Sequence, residues 1–402
     1  MISIEAATGI VRGSCRVPAP VETEIGAALG RVVATDVTAG EEVPPFDRAM
    51  MDGFAVRADD VREVPVTLAV IDEVPAGTLS SVTVHPGAAA RIMTGAPLPP
   101  GADAVQMKEV CRELPGGRVE VLEPVRAWKN VARRGCECAR GATVLEKGVP
   151  IGPAHLGALA TLGFARLPVV PAPTIRLLNT GSELVDVSQP ITGGQIRNSN
   201  RHTLTGLLRV SGFAPAWGGA VRDEPGEIRR AVEASEAADV LLLTGGVSVG
   251  EYDLVGEAVA AAGWDVLFRA VAIKPGKPLV FARKGARLLF GLSGNPVSSF
   301  LQCALFVLPA LRAMAGWSRP GPDFTRARLA APAAHNPGRV SFKPGRLRQE
   351  GDRVQVQPVS DRGSADLFAW SNADCAFLLP ADAAGLDAGA LTEVFRLPGA
   401  GQ

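Results

Sequence analysis

The chain has 402 residues, 47% of them hydrophobic and 20% charged, with 41 basic residues balanced by 41 acidic ones. That length predicts several domains around sizeable cores, and a net charge of zero leaves no global field to favour nucleic acid or an anionic membrane. Any anion site must therefore be local. Met1 to Thr8 lacks the basic start and apolar core of a signal peptide, and the six cysteines show no disulfide-framework spacing. Both features point to a reducing, cytoplasmic setting. Cys136 and Cys138 form the only close cysteine pair, and without a second pair or a nearby His they make a poor zinc site. The most apolar segment, about Phe300 to Ala315, is broken by Gln302, Pro309 and Arg312 and reads as too short to cross a bilayer.

Residues 1–172 read as a strand-rich region of two intertwined subdomains. Val21 to Val33 has helical spacing with Thr23 as a candidate cap, whereas Val64 to Val74 and Arg118 to Leu122 read as strands. Gly152 to Gly163 predicts a helix with Pro153 in its first turn and Gly163 after its end. Pro168 to Pro173 holds three prolines in six residues and reads as a stiff linker.

Over residues 173–316 strands and helices alternate. Strands are expected at Thr174–Leu178, Ala214–Val221, Asp239–Leu243, Val266–Ile273 and Arg287–Phe290. Helices are expected at Arg201–Val210, Pro225–Ala237 and Leu254–Ala262, and Asn295-Pro296 opens a long one with an Asn cap. Repeated βα units predict a central doubly wound, mostly parallel sheet. Residues 317–402, with short alternating runs such as Val354 to Val359, read as a small C-terminal β-barrel-like domain.

The chemistry gathers at predicted strand ends, where ligands sit in open α/β sheets because free backbone N–H groups converge there. Asp239 to Asp253 carries Gly245, Gly246 and Gly250 between a strand and a helix start. Gly246-Val-Ser248-Val-Gly250 matches a nucleophile elbow, but the only later His is His335, so the serine-hydrolase reading lacks a convincing triad. The competing reading is a backbone that closes around a phosphate. Lys274 and Lys277, three apart on a Pro-Gly loop, add two point charges on the same rim, although Pro278 rules out a Walker A loop. Gly294, Asn295 and Pro296 repeat the theme at the next strand end, and Thr180 to Glu183 does so at the first. Glu183 and Asp253 would repel phosphates unless a divalent cation, most naturally Mg²⁺, lay between them. Asp52 and Glu137 are further candidates, though any one acid alone reads as a surface or capping residue.

Five segments carry a resemblance when taken in order. They are Met51-Asp-Gly-Phe-Ala55, Met93-Thr-Gly-Ala96, Gly245 to Asp253, Lys274-Pro-Gly-Lys-Pro278 and Gly294-Asn-Pro-Val-Ser298. Together they resemble the molybdopterin molybdenumtransferase family, which includes the E domain of gephyrin, and the resemblance covers essentially the whole chain. It implies a homodimer that inserts molybdate into adenylylated molybdopterin and releases AMP with the help of Mg²⁺. It also implies a site shared between the α/β domain of one subunit and the N-terminal region of the other. Carried over by position, Asp52, Glu183 and Asp253 would be catalytic acids, the last two also holding Mg²⁺, and Glu137 is aligned with a fourth acid position. Thr94, Lys274, Lys277, Pro296 and Ser364 would bind substrate by the same carry-over, and the strand-end residues Gly245, Gly246, Ser248, Gly250, Gly294 and Asn295 join them as binding candidates.

Some positions depart from the family pattern. Glu137 stands where Asp is usual, Phe54 where Tyr is common, Ala49 where Ser is common and Ser293 where Pro is frequent. Pro344 falls near a position that can be basic in relatives, which makes Arg346 the candidate replacement. The resemblance leaves two neighbouring functions open, adenylylation of molybdopterin and a non-catalytic scaffold role.

Overall fold

The computed structural model describes residues 1–247, 254–351 and 353–399. Ser248, Gly250 and Asp253 therefore lie outside the described residues.

The chain opens with helix α1 (Ile4–Ser14), capped by Ser3, whose hydroxyl accepts from Ala6 N at 3.1 Å. The stretch expected to be helical next is instead extended. Val21–Glu24 pairs antiparallel with Arg166–Val170, a 3-10 turn follows at Ile25–Ala27, and Val32–Val33 pairs on the other side of the same strand. Strand pairing satisfies this backbone where an isolated short helix would be marginal, so tertiary context overrides the spacing. The same pairing corrects the linker, because Pro168 to Val170 belong to the middle strand. Pro168 keeps its carbonyl bond from Ala34 N at 3.0 Å and forfeits only a donor.

A mixed sheet forms most of the remaining N-terminal region, in the order Ala104–Met107, Gly53–Val56, Ala88–Ile92, Val66–Val74, Arg118–Val121, Cys111–Leu114. Alternate residues feed opposite cores, with Ala55, Ala88 and Ala90 on one side and Phe54, Val56 and Ala89 on the other. Helix α2 (Pro153–Thr161) forms as expected, with Gly163 at φ +75° beyond its end.

The central sheet comprises β1 (Ile175–Thr180), β2 (Pro215–Val221), β3 (Val240–Thr244), β4 (Asp265–Ala270), β5 (Pro278–Lys284) and β6 (Arg287–Leu292). Their order is β2-β1-β3-β6-β5-β4; β2, β1, β3 and β6 run parallel, and β5 is antiparallel to both neighbours. Leu177, Leu242 and Phe290 face α1, α3 (Ser199–Val210) and α6 (Pro296–Met314). Leu178, Leu241, Leu243 and Leu289 face α4 (Pro225–Glu233) and α5 (Leu254–Ala261). Every interior strand is thus buried on both faces, which is why these segments read as continuous apolar runs.

Three expectations change here. The strand expected over Val266 to Ile273 ends at Ala270, and Ile273–Lys274 pairs instead, in parallel, with Val340–Ser341 of the C-terminal domain. Helix α4 stops at Glu233 rather than Ala237. Helix α6 is not too short to span a bilayer, since it runs 19 residues through a π-turn at Cys303–Val307. What decides its role is burial, with 83% of its apolar window packed inside the protein as core.

In the C-terminal domain, β7 (Thr325–Leu329), β8 (Val340–Glu350), β9 (Arg353–Pro358), β10 (Cys375–Leu379) and β11 (Leu391–Arg396) close into a barrel in the order β8-β9-β7-β11-β10-β8. A short helix, α7 (Leu367–Ser371), crosses between β9 and β10.

Candidate functional site

Where β1 and β3 end, the backbone is drawn close. Gly245 and Gly246 have φ of +90° and +62°, and a Cβ on Gly245 would lie 2.4 Å from the Thr180 carbonyl oxygen. Glycine is required here by both conformation and space. Thr180 Oγ1 is buried beside them without a hydrogen-bond partner. Two carboxylates border this junction. Both oxygens of Glu183 lie 3.0 Å from where a Gly181 Cβ would sit, and Asp223 Oδ1 lies 3.4 Å from the equivalent point on Gly246. Asp223 was not singled out from the sequence, although it follows a strand end and precedes a helix start just as the other candidates do.

Beneath the strand ends runs a buried polar ladder. Asn179 donates to Thr244 Oγ1, and Asn198 donates to Asn179 Oδ1 at 3.2 Å while capping α3 through Arg201 N. Asn200 donates to the Gly294 carbonyl at 2.8 Å and accepts from Ser299 at 3.2 Å. These amides tie β1, β3, α3 and the start of α6 into one rigid rim.

Next to this rim lies a cavity of about 300 Å³ that brings together Lys274, Lys277, Asn295 and Ser364 with Ser298, Arg339, Ser341, Lys343 and Asp361. The Lys274–Lys277 loop is clamped by Gln302, which is fully buried on α6. Its Nε2 donates to the carbonyls of Gly276 (2.8 Å) and Pro278 (2.5 Å), and its Oε1 accepts from Ser293 N at 2.9 Å. Arg339 donates to the Ile273 carbonyl at 3.1 Å, beside the parallel pairing that docks the barrel against this loop. Ser364 lines the cavity, and its carbonyl accepts from Val297 N at 3.1 Å in the first turn of α6. Asn295 precedes α6 as expected, but its side chain makes no capping bond; Pro296 fills the first helical position.

The charge of this cavity is one-sided. Among the described residues its one carboxylate, Asp361, is already held by Lys343 at 2.7 Å. Lys274, Lys277 and Arg339 are left without an acidic partner there, which suits an oxyanion. Ser341 Oγ is buried in the wall with no partner. The sequence had nominated Arg346 for the basic tail position, and the structure corrects this. Arg346 bonds to Asn372 in a different groove, while Arg339 and Lys343 supply the cations.

Other candidates do not meet this cavity within one chain. Asp52 Oδ1 accepts from Thr94 N (2.9 Å) and Thr94 Oγ1 (2.7 Å), with Lys108 Nζ at 3.6 Å from Oδ2. These bonds, the Thr94 backbone first, hold the Asp52 carboxyl below the ordinary aspartate range. Glu137, in a bend, pairs with Arg48 at 2.6 Å, and Arg48 lies on a short strand before the Asp52 loop. Neither lines the cavity. Phe54 is buried in the N-terminal core, with the Arg91 guanidinium over its ring. His335 is bonded to the Pro380 carbonyl at 2.9 Å, and nothing there resembles a hydrolase triad.

Among the described residues no group of three or more His, Cys, Asp or Glu side chains is arranged for a metal. Asp223 Oδ1 and the unpartnered Thr180 Oγ1 nonetheless border Gly246, and the Glu183 carboxylate borders Gly181, so the donors on offer are all oxygen. That fits Mg²⁺, which takes one or two carboxylates and completes its shell with water and phosphate.

Family models match along the chain as the MoeA N-terminal region (domain I and II) over residues 2–163, a probable molybdopterin binding domain over 176–313 and the MoeA C-terminal region (domain IV) over 326–397. The chain is 35% identical over 398 residues to the molybdopterin molybdenumtransferase of Bacillus subtilis, covering 96% of itself and 93% of that relative. It is 33% identical over 395 residues to the Staphylococcus aureus enzyme of the same name, covering 97% of itself and 94% of that relative. A crystal structure of the molybdopterin biosynthesis MoeA protein of Pyrococcus horikoshii superposes with a TM-score of 0.83 at 29% identity, over 98% of this chain and 100% of that one. With matches that span its length and agree with the cavity's chemistry, the chain belongs to the molybdopterin molybdenumtransferase family.

Proposed function

We propose that this enzyme inserts molybdate into adenylylated molybdopterin and releases AMP, working as a cytoplasmic homodimer whose site is shared between subunits. A transferase of molybdenum cofactor biosynthesis is what its family membership establishes. The observation that carries the finer reading is the cavity between the central sheet's strand ends and the barrel, where Lys274, Lys277 and Arg339 have no acidic partner among the described residues.

Lys274, Lys277 and Arg339 would hold a tetrahedral oxyanion, while the Gly245–Gly246 backbone admits a phosphate against the strand end. Glu183 and Asp223, with Asp253 outside the described residues, would hold Mg²⁺. When bound, the ion would offset phosphate charge and favour cleavage of the phosphoanhydride. Asp52 stays ionised through Thr94 and would act from the partner subunit. Exposed Phe46, Met50, Met51 and Met93 surround the Asp52–Thr94 pair in the sequence, an apolar surface that a second copy would cover.

The test is AMP release from adenylylated molybdopterin and Mg²⁺, measured with and without molybdate. Molybdate-dependent release that falls at least about tenfold in Lys277→Ala is expected, since one lost charge-assisted contact is worth about 1.5–3 kcal/mol. Release indifferent to molybdate would sink the reading, and ATP consumption would favour adenylylation instead.

A further inference from the structure

A second, cationic groove lies on the reverse of the loop that closes the cavity. Residues 359–366 present Asp361, Gly363 and Ser364 to the cavity, and Val359, Ser360, Arg362 and Asp366 to the groove. The groove is open and about 670 Å³ in volume. Arg346 and Arg348 of β8 wall it on one side and Phe368 of α7 on another. All three arginines are exposed. Its one carboxylate among the described residues, Asp366, is occupied by the backbone N–H groups of Arg362 (3.0 Å) and Ala369 (3.1 Å), the latter as the cap of α7. Arg346 is turned onto Asn372. Arg348 and Arg362 make no hydrogen-bonded ion pair with any described residue, although the Asp366 carboxylate attracts the Arg362 charge. Beside them Phe368 is 84% exposed, the most exposed large hydrophobic side chain among those described.

A merely solvated face intersperses charges of both signs and keeps aromatic rings covered. In a chain of zero net charge, three exposed arginines set against one carboxylate among the described residues, next to a bare phenyl ring, call for another occupant. Arginine forks match carboxylates in pairs, and arginine with aromatic residues is the composition of interface anchors. We propose that this groove docks an acidic segment of another protein. Two or more of its carboxylates pair with Arg348 and Arg362, and one apolar side chain packs on Phe368. The docked segment would lie back to back with the cavity, separated from it by the loop that carries Asp361 and Ser364.

The probe is a fluorescein-labelled peptide of about a dozen Asp and Glu residues with a central Leu, read by anisotropy on the full chain. Its control is the same peptide with Asn and Gln in place of the acids. The acidic peptide should bind and the neutral one should not. Arg348→Glu with Arg362→Glu should weaken binding at least about tenfold, and Phe368→Ala severalfold. The milder Arg348→Gln with Arg362→Gln should show the same trend with an unshifted melting curve. Lys274→Ala with Lys277→Ala should leave the affinity as it was, which separates the groove from the cavity and from the function proposed for it. Failure of the acidic peptide to bind, or binding that survives charge reversal, overturns the proposal. So does loss that follows the cavity lysines, or competition by AMP or an oligonucleotide as effective as the unlabelled peptide. A change in assembly mass on charge reversal, seen by sedimentation, would assign the groove to a second copy and equally overturn it.

Discussion

Thr94 shows how one neighbour sets the state of a candidate catalytic acid. Its N–H and hydroxyl both donate to Asp52 Oδ1, so the ionised carboxylate is favoured and its pKa lies below the ordinary value. A depressed folded-state pKa means that the associated stabilisation is present above the unfolded-state pKa and is lost as pH falls through the folded one. Thr94→Val should therefore move the Asp52 titration, followed by carbon-13 NMR, up towards the ordinary aspartate value. The backbone N–H of residue 94 stays in place, so the move should be partial, and a titration that does not move would remove the Thr94 hydroxyl as a cause. Gly245 makes a separate case for backbone geometry. A methyl group there meets the Thr180 carbonyl while φ stays at +90°, so Gly245→Ala should destabilise by about 1–3 kcal/mol in urea unfolding.

Elements rather than single residues hold the cavity's cations in place. Helix α6 carries Gln302 into the core, where one amide ties the lysine loop to the end of β6. Gln302→Leu would fill similar space but leave two carbonyls and one N–H unpaired in a dry interior, at a cost of about 1–3 kcal/mol. Below its melting point the variant should also lose about tenfold in kcat/KM, because the loop no longer holds both lysines on one rim. Retained stability together with retained kcat/KM would show that the clamp is dispensable. From the sequence, Gln302 looked only like an interruption of an apolar run. Its meaning depends on β5, an antiparallel strand that local patterning did not mark, lying beside the loop it holds.

At the scale of the whole molecule, the Asp52–Thr94 pair and the cavity are separate surfaces of one chain. If a site is shared between subunits, damage to each half should complement. Co-expressing Asp52→Asn with Lys274→Ala/Lys277→Ala should restore about a quarter of wild-type activity, since random pairing makes half the dimers mixed and each mixed dimer has one intact site. Each variant alone should be nearly inactive. Activity of the mixture no greater than that of its parts would place both halves within one subunit.

What the sequence determined by itself was the local chemistry. Glycines at strand ends, a lysine pair on a stiff loop and continuous apolar strands all follow from rules of conformation and burial that act over a few residues. The doubly wound domain, and the place of Lys274 and Lys277 on a loop beside the strand ends, were legible for that reason. Tertiary structure decided what depends on distant partners. It turned Val21 to Glu24 and the Pro168 segment into paired strands. It set Arg339 and Lys343, rather than Arg346, beside the lysines through the pairing of Ile273–Lys274 with Val340–Ser341. It also added Asp223 beside Gly246. In each case the deciding contact joins segments far apart in the chain, and no local pattern records which of them will meet.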